Sequence, residues 1–150
     1  MKKQTFAIAM ALLIPILVLP GCGAKSELDA NREKWNAANI GHYKFELTIS
    51  CFCAFMDIMP VAVEIQDGQI VSMTDVNGQA VSDELRQYID EAATIEGLFR
   101  IVAKDLSEAE EIEIAYDAQY GYPSQINVDF IKLAMDDEIS YSVNGFTPLP

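Results

Sequence analysis

The 150-residue chain carries 10 basic and 23 acidic residues, a formal charge of −13, and is 51% hydrophobic. A chain this apolar, with aromatic residues spread along it, is excluded from the disordered class. The negative charge opposes nucleic-acid phosphates and anionic headgroups, so no nucleic-acid partner is expected; cationic partners, metals or plain solubility are all compatible with it.

The N-terminus opens with Lys2 and Lys3, followed by an apolar stretch from Phe6 to Leu19 that Pro15 interrupts. A basic start, a short apolar core and small residues at its end form the pattern of a secretory signal. The stretch falls short of the ~18–20 residues that a membrane-crossing helix needs. Leu19-Pro20-Gly21-Cys22 closes it and resembles the lipobox of bacterial lipoproteins. That resemblance implies that the Cys22 thiol receives a diacylglyceryl group and that the chain is cut before it. The expected organisation is a signal peptide over residues 1–21, a lipidated cysteine with a short tether over 22–26, and one domain over 27–150. Cleavage removes Lys2 and Lys3, leaving 8 basic against 23 acidic residues and a charge of −15. The expected location is the cell envelope, extracytoplasmic and lipid-anchored, with inner and outer membrane equally open.

After the tether, Ser26 to Ala38 reads as a helix capped by Ser26, with Leu28, Arg32 and Trp35 on one face and Gly41 as its stop. Tyr43 to Cys53 then alternates as a half-buried strand, with Tyr43, Phe45, Leu47 and Ile49 pointing inward. Val61–Gln66 and Gln69–Thr74 flank Asp67-Gly68, a strong hairpin signal. Ser82 is placed to cap a short helix reaching Asp90. Thr94 is placed to cap a longer one, with Ile95, Leu98, Phe99, Val102 and Leu106 on the helical period. The last third returns to strands. Ile112, Ile114 and Tyr116 alternate in the first of them; Ile126, Val128 and Phe130 form the inward set of the second. Ile139, Tyr141 and Val143 belong to a final strand ending near Asn144-Gly145. The order implies a single compact α+β domain: a helix and a three-strand antiparallel meander, one or two helices, then a second three-strand meander, with a weak two-fold organisation.

Cys51-Phe52-Cys53 is the most specific chemical feature of the domain. In a regular strand the two Cα atoms would stand about 6.6 Å apart, and a disulfide, with its Cβ atoms near ~3.8 Å, needs a bend at Phe52. A local disulfide, a pair of buried thiols, and a redox or metal site are all compatible with the spacing. His42 falls on the polar face of its strand and reads as exposed. No G-x-S-x-G, H-E-x-x-H or P-loop spacing occurs, so the reading leans away from an enzyme and no cofactor is expected. Asp117 stands in the turn Tyr116–Pro123. With Asp129, Asp136, Asp137 and Glu138 it could gather around Ca²⁺, although the spacing is not that of an EF-hand and adjacent acids in a loop are usually solvated.

Trp35, Tyr43-x-Phe45, Cys51-x-Cys53, Asp67-Gly68, Tyr116-Asp117-x-x-x-Gly121-Tyr122-Pro123, Asp129 and Asp136-Asp137-Glu138 together resemble an uncharacterised bacterial lipoprotein family, carried as a domain of unknown function. The resemblance implies export, a lipid anchor and one compact α+β domain, and it carries no catalytic assignment. The expected function is a membrane-anchored, non-catalytic module binding an envelope protein or a small ligand. The alternative is a thiol-redox or metal-binding envelope protein that uses Cys51 and Cys53.

Overall fold

The computed structural model describes residues 20–150. The expected signal segment, save its last two residues, lies outside the described residues, as does the Cys22 side chain. The elements are α1 (Pro20–Ala38), β1 (His42–Ser50), β2 (Val61–Gln66), β3 (Gln69–Thr74), α2 (Asp83–Ile89), α3 (Ile95–Glu108), β4 (Glu111–Tyr116), β5 (Pro123–Asp129) and β6 (Ile139–Pro148), with one turn of 3-10 helix at Met56–Ile58. Among the described residues no helix is long and apolar enough to cross a membrane.

All six strands form one antiparallel sheet in the order β3-β2-β1-β6-β5-β4. The α+β domain with two meanders is therefore present. The two-fold organisation is not: the first meander starts at the centre of the sheet with β1, whereas the second ends there with β6. The halves are mirrored in chain order, not repeated.

The sheet has one apolar face. Tyr43, Phe45, Leu47 and Ile49 of β1, Val61, Val63 and Ile65 of β2, Ile126 and Val128 of β5 and Val143 of β6 are buried on it. Leu28 and Trp35 of α1, and Ile95, Leu98, Phe99 and Val102 of α3, close the same core. The periods of two and 3.6 meet there, giving a two-layer domain with helices on one side and an open sheet face on the other. Trp35 is the centre of an aromatic cluster, edge-on to Tyr43 at 5.4 Å, Phe146 at 5.8 Å and Tyr122 at 6.2 Å between ring centroids. Its Nε1–H donates to Glu96 Oε1 at 3.1 Å, which ties α1 to α3. Arg32 adds a second tie, donating to the Phe99 carbonyl at 3.0 Å with its guanidinium over the Phe99 ring.

Four boundaries differ from the pattern. Helix α1 begins at Pro20, so Ser26 lies inside it and the expected tether is helical; proline is tolerated in a first turn, and Ala24, Lys25 and Glu27 are good helix formers. The stop is Asn39, at φ 48°, and not Gly41. Strand β1 ends at Ser50, before the two cysteines. Strand β6 continues beyond Asn144-Gly145 to Pro148, because Gly145, at φ 62°, forms a bulge opposite Lys44–Glu46 instead of a turn. The bulge delivers Phe146 to the aromatic cluster, 4.7 Å from the Tyr122 ring. Ser82 precedes α2 but makes no side-chain cap, whereas Thr94 does cap α3, accepting from the Gly97 N–H at 3.0 Å.

Candidate functional site

The open face of the sheet is polar because every second residue of each strand faces away from the core. Register aligns Ser50 of β1, Ser140 of β6, Asn127 of β5 and Glu113 of β4 in one row across it. The next row brings Asp129 opposite Glu111. Glu138 joins them, since Ile139 pairs with Val128.

These rows floor a cleft of about 550 Å³, lined also by Cys51, Phe52 and Asp136. Phe52, 86% exposed, stands at its edge where β1 has just ended. The loop after β5 forms another wall and carries exposed Ile131, Leu133 and Met135. That loop is pinned by three contacts. The Ile131 N–H donates to Asp137 Oδ2 at 2.7 Å, the Lys132 N–H donates to Glu110 Oε2 at 2.8 Å, and Lys132 Nζ pairs with Glu111 Oε2 at 3.0 Å.

Glu111, Glu113, Asp129, Asp136 and Glu138 give the cleft five carboxylates. Removal from water pushes the Asp129 carboxyl above the usual carboxylate range, and the charges of Asp137, Glu138 and Glu111 push it the same way. One oxygen of Asp129 and one of Asp137 are shut off from solvent with no hydrogen-bond partner among the described residues. Buried polar atoms are normally satisfied, so the unpaired Asp129 and Asp137 oxygens mark a strained acidic end of the cleft, whose carboxylates are acceptors without described donors apart from the Lys132 pair on Glu111.

Cys51 and Cys53 are joined in a disulfide with Cα atoms 5.2 Å apart. The chain bends directly after Ser50, which supplies the approach that a regular strand denies. Cys51 and Phe52 thus enter the same cleft as Asp129, Asp136 and Glu138. Asp137 braces the loop beside it.

Asp117 is elsewhere. It follows the far end of the β4–β5 hairpin, where Tyr116 pairs with Pro123, five residues along β4 from the Glu111–Asp129 pair, or about 17 Å at ~3.4 Å per residue. Its Oδ1 accepts from the Gln119 and Tyr120 N–H groups at 2.9 and 2.6 Å. Its own N–H donates to the Tyr122 carbonyl at 2.8 Å. Gly121, at φ 80°, lies where a side chain would meet the Asn31 carbonyl at 2.7 Å, and Lys34 Nζ donates to the Ala118 carbonyl. The Tyr-Asp-x-x-x-Gly-Tyr-Pro turn is therefore a clamp on α1, and the expected grouping of Asp117 with the downstream acids does not form. Among the described residues, no group of three or more His, Cys, Asp or Glu is set to hold a metal ion.

His42 lies on the open face as expected, but it is half-buried and engaged, not free. Its Nε2 meets Glu64 Oε1 at 2.8 Å and its Nδ1 meets the Pro150 carbonyl at 2.9 Å. Both acceptors hold the imidazole above its ordinary value, Glu64 first.

Pattern reading missed Asp105. It stands three residues after Val102 on the apolar stripe of α3 and is 4% exposed. A charged residue interrupting an apolar stripe is a signal that was available in the chain.

The model of a family of unknown function, DUF6174, matches residues 27–148, and the chain belongs to that family. No curated protein and no solved structure matches it.

Proposed function

We propose that this member of the DUF6174 family is a lipid-anchored envelope protein whose domain binds a basic protein or peptide segment and catalyses no reaction. The observation that carries the binding reading is the cleft on the open sheet face, where five carboxylates, among them Asp129 with its unpaired oxygen, and exposed Phe52 meet. Acceptors without donors, beside an exposed aromatic, suit a segment that carries both Lys or Arg and apolar side chains.

The anchor rests on the signal pattern that ends at Cys22. Leu28, the first buried residue of α1 among the described side chains, follows Cys22 by six residues, which is about 9 Å of helix at ~1.5 Å per residue. A lipid on Cys22 would therefore hold the domain close to the bilayer, where basic partners concentrate on anionic headgroups. The alternative, a redox or metal centre on Cys51 and Cys53, has less support. The ionisable groups lining the cleft are carboxylates, and neighbouring negative charge keeps a thiol protonated and unreactive.

A fluorescein-labelled peptide alternating Lys and Phe serves as probe, with binding followed by anisotropy. Wild-type affinity is expected to fall steeply with salt, since exposed charge pairs are screened beyond a Debye length of about 8–10 Å. The paired substitutions Glu113→Gln and Glu138→Gln are expected to weaken binding about tenfold or more. Equal binding by the double variant, or affinity indifferent to salt, would sink the reading.

A further inference from the structure

On the opposite side of the sheet from the cleft, a cavity of about 210 Å³ lies under α3. Part of its wall is aromatic: Phe55 and Tyr88, stacked at 6.2 Å, with Phe130 and Tyr141, and Ile49, Ile101 and Ile139 supply aliphatic surface. Asp105 faces into it, 96% removed from solvent and lining the same space. No hydrogen bond from any described residue reaches its carboxylate; burial pushes that carboxyl above the usual range, Glu108 and Glu91 add to the push, and Lys104 opposes it. Tyr141 is in the same position. Its hydroxyl has no described partner, and burial, with the charges of Asp105 and Glu91, pushes it up to about 12.

Lys104 lines the cavity too and its charge opposes the push on Asp105, but it is exposed, forms no ion pair with Asp105, and its Nζ reaches Glu108 at 3.7 Å. The cavity therefore holds a carboxylate and a phenol oxygen that can both accept, between aromatic and aliphatic walls, with Glu91 and Lys104 as the other charges lining it. The Asp105 carboxylate is thus poorly solvated and takes no side-chain hydrogen bond, while its oxygens keep some contact with solvent in the cavity, a position that a bound cation would improve. Aromatic faces and an unpaired carboxylate together are the chemistry that recognises an organic ammonium group.

We propose that this cavity binds a small primary ammonium ion, alkyl or arylalkyl, whose nitrogen donates to Asp105 and Tyr141 and whose apolar part lies among Phe55, Tyr88 and Phe130. At ~30 Å³ per water, the space equals about seven waters, which limits the ligand to roughly seven to ten heavy atoms. The site is independent of the cleft and does not rest on the basic-peptide reading.

Phenethylamine is the probe, titrated into the detergent-solubilised lipoprotein while amide shifts are followed. Saturable shifts are expected at Ile101, Asp105 and Tyr141. Asp105→Asn, which keeps the shape and removes the charge, is expected to weaken binding at least about tenfold. The neutral analogue 2-phenylethanol is expected to bind the wild type correspondingly less well. Without ligand, the same variant is expected to melt higher than the wild type at neutral pH. With the folded value raised, the favourable contribution of Asp105 is present when it is protonated and is lost as pH rises through that value, so removing the charge relieves the neutral-pH penalty. The paired cleft substitutions are expected to leave phenethylamine binding unchanged, so the two sites are read separately. No saturable shift at roughly 10 mM amine, a millimolar-class limit, would overturn the proposal. Equal binding by Asp105→Asn, or a lower melting temperature for it, would do the same, the last by showing that Asp105 has a structural partner.

Discussion

Gly97→Ala is expected to destabilise the domain by about 3 kcal/mol or more, although helix propensity alone argues for the opposite sign. Gly97 lies in the first turn of α3, and alanine in a helix interior is favoured over glycine by about 1 kcal/mol. Here the preceding turn folds back on the helix start. A Cβ at Gly97 would fall inside the carbonyl oxygen of Glu91, 2.8 Å from its carbon and 3.0 Å from the capping Thr94 Oγ1. The obstruction is backbone, and that backbone is itself held by the Ala92 and Ala93 N–H groups, which donate to the Ile89 carbonyl at 2.9 and 3.0 Å. Relief must therefore shift the whole α2–α3 joint or the Thr94 cap. Urea denaturation of the variant settles the sign; a stability equal to or above wild type would show that the joint is looser than described.

The second large effect is expected at Trp35. Trp35→Ala should cost about 3–5 kcal/mol, the range for removing a buried aromatic. Trp35 is 4% exposed and edge-on to Tyr43, Tyr122 and Phe146. Those rings come from β1, the turn just before β5 and the β6 bulge, so one side chain joins α1 to both halves of the sheet. Trp35→Phe retains a ring but loses the N–H to Glu96, and about 1–2 kcal/mol is expected for it. Thermal melts of the two variants, compared with wild type, provide the check. Equal losses would mean that the hydrogen bond, and not the packing, holds α1 in place.

Local features were legible in the chain wherever a residue type dictates its own backbone. The β2–β3 hairpin has the expected limits because Asp67 and Gly68 both take positive φ, 51° and 76°, as a tight two-residue turn requires. The Thr94 cap and the inward set of β1 follow the same logic. Features set by distant parts of the chain were not legible. The central β1–β6 pairing joins segments about a hundred residues apart, and nothing in either strand announces the other. Asn144-Gly145 reads as a turn until Phe146 has an aromatic cluster to enter, and the bulge is that compromise.

The site divides along the same line. Asp129, Asp136 and Glu138 meet Cys51 in the cleft because the end of β5, the loop after it and the bend after β1 lie at the same end of the strands. Glu111 and Glu113 join them only through β4 register, which alternation along a single strand does not disclose. Asp117, which composition groups with those acids, is spent on its own turn.

Anchoring through Cys22 underlies the whole functional reading, and metabolic labelling of cells with a palmitate analogue tests it most directly. Wild type is expected to appear as a processed, acyl-labelled protein in the membrane fraction, and Cys22→Ala as an unprocessed precursor without label. Normal cleavage and release of the Cys22→Ala protein, or a wild type that carries no acyl label, would contradict it.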